Sequence, residues 1–393
     1  METQIDFEKV RADFPRAVRK TWFAGAEYCP LSVHSIKAIE AYTQSKSQAT
    51  GRYGFGFSPE VQAETKERFA KLINASAAEI AFVQSTTDGE NIVLAGLDLT
   101  KKGGNVVIDD LHFEASKYLY TSLAEQGLIE LRVVEAENWQ TSAADFAKYI
   151  DKDTQLVSIA LVSQINGYVA DVKAISDLAH EHGAWLFADI IQGAGNTPID
   201  VETMGIDFAS SSTYKWLMGE HGFGFLYVRA DLQEEVVKQT RHGLRQVKVE
   251  QDFYFEQHVG AAIYEGTSSM GFLPGVIAAT GLEYLTGIGV DAIRTHARPL
   301  IDRLQAELPS LGSGYRPISP IGNPSSIVSF LPKGDIEETK AKLDKAFGEQ
   351  VLSFRNWYFK NDKGEREHVR GIRIGVSMYN NDKDVDLLLE ALR

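Results

Sequence analysis

Apolar runs of strand length alternate along this chain with stretches whose apolar residues recur at helical spacing. Ile5, Phe7, Val10 and Phe14 predict a short amphipathic helix at the start. Between Glu60 and Asn74 the apolar residues Val61, Phe69, Leu72 and Ile73 predict another, and EIAFVQ then reads as a strand running into Ser85, Thr86 and Thr87. A helix is expected to begin near Asp88 and to continue through ENIVLAGL. Further strands are expected at NVVIDDLHF, LIELRVVEA and QLVSIALVSQINGYV, with a helix at SAADFAKYI before the last of them. Val172, Ile175, Leu178 and Ala179 set a helical period that Gly183 closes, and AWLFAD and GFLYV read as buried strands. This alternation argues for an α/β fold in which a mostly parallel sheet is covered by helices. In such sheets ligands bind at the carboxyl ends of the strands.

The pattern changes beyond GFLYV. DLQEEVVKQ is charged with helical spacing, and RHGLRQVKVEQDFYFEQHVG loosens into an expected loop at a subunit face. GFLPGVIAATGLEYL reads as a helix preceded by Gly266 and Thr267, which makes either a phosphate site or a simple N-cap. From about residue 290 a helix, the Gly/Pro/Ser-rich stretch SLGSGYRPISPIGNPSS, the strand IVSFL and another helix predict a smaller α+β domain. The expected division is an N-terminal segment of residues 1–20 packing on the small domain, a large cofactor-binding domain of 21–289 and a small domain of 290–393. TWFAGAEYCP and SKSQATGRYGFGFSP read as loops that border a pocket or lie on the surface.

Composition narrows the partners. With 393 residues, 44% of them hydrophobic and 24% charged, the chain has the make-up of a globular protein with room for two domains. A net charge of -14 without a compact basic run argues against nucleic acid or an anionic membrane surface as a partner. The single cysteine, Cys29, excludes an intramolecular disulfide and a cysteine-based metal cluster. METQIDFEKV carries acids where a secretory signal has an apolar core, and no uninterrupted apolar run approaches about 18 residues. A cytoplasmic location is expected.

The candidate chemistry centres on ASSSTYKWL, where Lys215 stands among hydroxyls and precedes the glycine-rich run GEHGFGFLYV. A lysine attacks an aldehyde only when its amine loses its proton, which burial and nearby positive charge favour. Hydroxyls beside it suit a phosphate, so the stretch suggests a lysine bound to pyridoxal phosphate, with Ser212 and Tyr214 as donors to the phosphate oxygens. Taken alone, the same stretch also describes a solvated surface lysine. Upstream, Asp189 interrupts the apolar run AWLFADIIQGAG, and a carboxylate there needs a partner. The protonated ring nitrogen of pyridoxal phosphate is one; a turn cap is the alternative. Gln192 follows within reach of the ring's phenolic oxygen. Ser85, Thr86 and Thr87 stand between a strand and a helix, where free N–H groups suit an anion as well as an ordinary cap.

Asp189, Gln192 and Lys215 in this order resemble the class V aminotransferase family, which includes cysteine desulfurases and isopenicillin N epimerase-like and kynureninase-like proteins. The resemblance covers nearly the whole chain and implies a pyridoxal-phosphate fold type I homodimer. It implies that Thr86 and Thr87 bind the cofactor phosphate, that Phe113 stacks on the ring with His112 as competitor, and that Gln164 stands where the family often has an asparagine. It also implies that Thr267 reaches the neighbouring subunit's cofactor, that Arg373 binds the substrate's α-carboxylate and that Arg355 is a second carboxylate contact. Arginine suits that task because its fork makes bidentate bonds. Tyr214 departs from the family pattern, in which a histidine often precedes the lysine.

Pyridoxal phosphate leaves open which bond breaks. A desulfurase needs a nucleophilic cysteine before the C-terminal arginine, and NWYFKNDKGEREHV has none. Transamination of an amino acid is therefore the favoured expectation, with β-eliminating lyase, epimerase and a non-catalytic pyridoxal-phosphate-binding homologue as alternatives. A dinucleotide fold is disfavoured, because GFGF lacks the G-x-G-x-x-G spacing.

Overall fold

The computed structural model describes residues 5–48, 56–99, 104–311, 314–332, 334–348, 351–360 and 364–393. Of the expected loop SKSQATGRYGFGFSP, residues 49–55 lie outside the described residues, as do residues 1–4 of the N-terminal segment and Gly312 and Ser313 of the Gly/Pro/Ser-rich stretch.

Seven strands form the main sheet: β1 (Ile80–Val83), β2 (Asn105–Asp109), β3 (Glu130–Val134), β4 (Thr154–Ala160), β5 (Trp185–Asp189), β6 (Phe208–Ser212) and β7 (Gly224–Val228). Their order is β1-β7-β6-β5-β4-β2-β3. Neighbours from β6 through β3 are parallel, and β7 runs antiparallel to both β6 and β1. β1 therefore points the same way as β6, so six carboxyl ends share one edge of the sheet. The two-residue period of the strands separates two cores. Val107, Val157, Ile159, Leu186 and Ala188 face one, while Val106, Ile108, Leu156, Phe187 and Phe208 face the other. Both faces are buried, which is why β2, β4 and β5 read as largely apolar runs.

After these come a two-stranded hairpin of β8 (Val247–Gln251) and β9 (Tyr254–Gln257), then a second sheet of β10 (Tyr315–Pro317), β11 (Ile327–Pro332), β12 (Ser353–Lys360) and β13 (Arg366–Gly375). The second sheet is antiparallel in the order β10-β11-β13-β12. Its own core joins Val328, Phe330, Ile372 and Ile374 to Leu300 and Leu304 of the helix Val290–Glu307 and Leu388 and Leu392 of the helix Asp382–Leu392. Phe23 belongs to that core, and its N–H donates to Val351 O while its own carbonyl accepts from Gly375 N. The N-terminal helices Phe7–Ala12 and Pro15–Arg19 lie nearby, and Arg11 Nη2 donates to Asp384 Oδ1 at 3.0 Å.

Several sequence expectations give way to tertiary context. DLQEEVVKQ forms only the short 3₁₀ turn Ala230–Leu232, and SAADFAKYI only the helix Ala143–Phe146. The expected loop RHGLRQVKVEQDFYFEQHVG contains the hairpin β8–β9, turned at Asp252 with φ 55°. Nearly all of its strand residues are exposed, so no buried face marks the period in the sequence. The strand expected to reach Phe113 ends at Asp109, and Phe113 is instead the N-cap residue of the helix Glu114–Glu125. Thr267 does not cap a helix: the next one is Phe272–Ile288, and Thr267 Oγ1 donates to Ser269 O at 2.7 Å. NWYFKNDKGEREHV is mostly paired strand of β12 and β13, with residues 361–363 outside the described residues.

Candidate active site

The shared edge of the main sheet gathers the candidate residues. β1 leads to Thr86 and Thr87, β2 to Phe113, β4 to Gln164, and β5 ends on Asp189. β6 ends on Ser212, with Tyr214 and Lys215 in the turn beyond it. All these side chains, with Gln192, line one cavity of about 230 Å³. Parallel strands with short returns put such residues together even when they are far apart in sequence.

Lys215 is 5% exposed and Asp189 3% exposed, so an amine and a carboxyl share a dry wall of the cavity. Burial pulls the Lys215 amine well below its ordinary value, and Arg373 adds to the effect. Burial pushes the Asp189 carboxyl up, against the N–H of Ile191, which donates to Asp189 Oδ1 at 2.9 Å, and the Lys215 charge. The two shifts have one cause: each charge lacks solvent, and the pair tends toward neutrality. Asp189 Oδ2 has no hydrogen-bond partner among the described residues, so a cationic donor in the cavity would find an acceptor there. Lys215 Nζ lies 5.9 Å from the Phe113 ring centre and 5.6 Å from that of Tyr214, so two aromatic rings flank the amine.

At the opposite end of the group, the helix Thr86–Leu97 points its first turn at β6. Thr86 N donates to Ser212 Oγ at 2.9 Å and Ser212 N donates to Thr86 Oγ1 at 2.9 Å, while the two hydroxyls lie 3.2 Å apart. One hydroxyl proton satisfies that last contact, and the other is left for a ligand. Thr87 N–H and its hydroxyl have no hydrogen-bond partner among the described residues. The helix leans closely on β6 because residue 89 is glycine: a Cβ there would meet Ser210 Oγ at 2.3 Å and Ser210 Cβ at 2.9 Å.

The amides are already engaged. Gln164 Nε2 donates to both Glu114 carboxylate oxygens at 2.8 Å, and Gln164 Oε1 accepts from Arg373 Nη1 at 3.0 Å. Gln192 Nε2 donates to Ala26 O at 3.1 Å and Gln192 Oε1 accepts from Trp216 Nε1 at 2.8 Å. Both line the cavity, but their amide groups hold the surrounding loops in place. Arg373 is fully buried and joins this cluster from β13, where Nη1 also donates to Gln164 O at 2.7 Å. Arg355 on β12 stands beside it and donates to Gln164 Oε1 at 3.5 Å. Thr267 lies in an adjoining cavity that shares Gln84 and Gly222 with the first.

Three residues that sequence reasoning passed over also shape the site. His221 lines the cavity and stacks on Tyr214, with ring centres 4.0 Å apart. It lies in the run GEHGFGFLYV, but nothing local in the sequence distinguishes it from a loop histidine. Glu27 bridges the arginines: its Oε1 lies 3.0 Å from Arg373 Nη2 and its Oε2 3.2 Å from Arg355 Nη2. Glu90 is buried within electrostatic reach of Asp189, and burial pushes its carboxyl up to about 7. Ser116 donates to it at 2.7 Å, Tyr120 at 2.9 Å and Ser158 at 3.0 Å. Since His112 Nδ1 accepts from Phe113 N at 2.8 Å, its Nε2–H donates to Ser158 Oγ at 3.0 Å. His112 is therefore a buried link between Phe113 and Glu90, not a competing ring over the cavity.

Known proteins share this architecture. A probable cysteine desulfurase of Methanothermobacter thermautotrophicus is 28% identical over 395 residues, which covers 98% of this chain and 97% of that protein. An uncharacterized aminotransferase of Bacillus subtilis, YcbU, is 28% identical over 294 residues, 75% of this chain and 76% of its own. Among solved structures, the apo form of a cysteine desulfurase from Thermococcus onnurineus NA1 covers 100% of this chain and 98% of its own with a TM-score of 0.84 at 21% identity. That likeness shows the fold, the mixed seven-stranded sheet with its smaller C-terminal partner. Residues 33–388 match the family model described as Aminotransferase class-V, and the chain belongs to that family.

Proposed function

We propose that the chain is a pyridoxal-phosphate-dependent lyase that breaks the Cβ–S bond of a sulfur-containing amino acid. The observation that carries the cofactor is the buried pair of Lys215, whose amine is held toward its neutral form, and Asp189, which has an oxygen free in the same cavity. The donor set fits the group. Lys215 suits its aldehyde, Asp189 its protonated ring nitrogen, Phe113 its flat face, and Thr86, Thr87 and Ser212 its phosphate. When bound, pyridoxal phosphate draws electrons from the substrate's α-carbon. The residues of the chain then have separate tasks. Lys215 Nζ accepts the α-proton, for which an amine of lowered pKa is suited. Asp189 keeps the ring nitrogen charged. Arg373 and Arg355 hold the substrate's carboxylate and so orient the Cα–H bond.

The choice of bond rests on two further points. The relative that spans 98% of this chain is called a probable cysteine desulfurase, which favours chemistry at a carbon–sulfur bond over the transamination that the sequence alone favoured. Yet residues 356–369 contain no cysteine, and Cys29 is a half-buried thiol whose pKa is raised by desolvation, so no thiolate stands ready to take up sulfur. β-elimination, which releases the sulfur as a small molecule, meets both points. The test is to load the purified protein with pyridoxal phosphate, add L-cysteine and measure sulfide and pyruvate. Equal amounts of the two are expected. A keto acid that retains its sulfur would restore transamination, and D-cysteine without sulfide would mean epimerisation.

A further inference from the structure

The two arginines that the proposed function assigns to the substrate's carboxylate already face a carboxylate of the chain itself. Glu27 lies in the segment after Phe23 and is fixed from three sides. Ala24 bridges to Gly375 of β13, Cys29 N donates to Tyr214 O at 2.9 Å, and Ala26 O accepts from Gln192 at 3.1 Å. The backbone of Glu27 is thus tied to the strand that carries Arg373, to the turn that carries Lys215 and to the loop after Asp189. Its carboxylate spans Arg373 and Arg355 through one terminal nitrogen of each. Burial alone would raise its pKa, but Arg373 and then Arg355 outweigh burial and hold the carboxyl below its usual value, with Lys215 contributing.

The bridge is incomplete on the arginine side. Arg373 Nε and Arg355 Nε are both buried and have no hydrogen-bond partner among the described residues. A guanidinium offers five donors in a fixed fork, and a buried donor without a partner is costly. Glu27 therefore supplies the charge that two adjacent cations need, but fewer acceptor atoms than the pair can use. Its own side chain is 32% exposed, whereas that of Arg373 is 0% exposed, so of the two it is the carboxylate that has solvent to move into.

We propose that Glu27 competes with the substrate's carboxylate for Arg373 and Arg355 and is displaced by it, so that it sets the affinity for carboxylate-bearing substrates. The inference rests on the reading of those arginines as the carboxylate anchor. Exchanging one carboxylate for another keeps the local charge constant, and each arginine has an Nε donor that Glu27 leaves without a partner. An amine without a carboxylate gains nothing from the exchange and leaves Glu27 where it is.

Calorimetry with propionate and ethylamine as probes tests this on the cofactor-loaded protein, its Glu27→Gln variant and its Glu27→Asp variant. Propionate should bind about tenfold more tightly to Glu27→Gln, the scale of one charge-assisted contact removed from a competitor. Ethylamine should bind all three alike, and Glu27→Asp, which keeps the charge and shortens the reach, should fall between the other two for propionate. Propionate affinity unchanged or weakened in both variants would overturn the proposal. Cofactor absorbance of the same samples is a separate readout. Its absence from the parent protein would count against pyridoxal phosphate, while the propionate comparison would still decide the role of Glu27.

Discussion

In the proposed function Asp189 polarises the cofactor, Lys215 moves a proton and Arg373 anchors the substrate, and each can be removed separately. Asp189→Asn keeps the shape and loses the charge, so cofactor should stay bound while kcat falls by about a hundredfold or more, the scale of a lost buried electrostatic partner. Unchanged turnover in steady-state kinetics would take Asp189 out of the reaction. Arg373→Lys keeps the charge and loses the fork, and should raise KM by about 2–4 kcal/mol in affinity with little effect on cofactor binding. A KM equal to the parent's would count against the anchor. The sequence made Asp189 legible because a carboxylate in an apolar run calls for a partner. It did not make Glu27 legible, because its partner Arg355 is 328 positions away and only the meeting of the N-terminal segment with the second sheet brings them together.

The elements matter because they aim these groups. The helix Thr86–Leu97 reaches Ser212 only by lying against β6, and Gly89 is what permits that approach. Gly89→Ala should push the helix off Ser210 and destabilise the protein by about 1–3 kcal/mol, the usual cost of overpacking. Cofactor affinity should fall with it. A thermal melt and a cofactor titration that both match the parent's would show that the contact relaxes. The serines of β6 hide that strand, whereas β2, β4, β5 and β7 were legible as elements because both faces are buried, which leaves largely apolar runs. The hairpin β8–β9 was not, since its residues are exposed and carry no buried face. The end of β2 was also misjudged, because His112 and Phe113 continue the apolar and aromatic character of the strand while their backbone already turns toward the next helix.

For the whole molecule, the buried network behind the cavity ties stability to pH. The Glu90 carboxyl is raised by burial to about 7, so the folded state holds its proton more tightly than the unfolded chain does. Its contribution is therefore fully present below the ordinary glutamate value and is lost as pH rises through about 7, on the order of 3 kcal/mol over that window. Glu90→Gln should flatten the fall in melting temperature across this range, and a slope identical to the parent's would mean that other groups set it. Asp109, also raised to about 7 by burial, adds a slope of the same sign and should remain in the variant. The proposed function depends on the Lys215 amine. Borohydride reduction of the protein with pyridoxal phosphate, followed by peptide mapping, tests that amine directly: the reduced adduct should be found on the peptide containing Lys215 and be lost in Lys215→Ala. An adduct scattered over exposed lysines, or one that persists in Lys215→Ala, would contradict it.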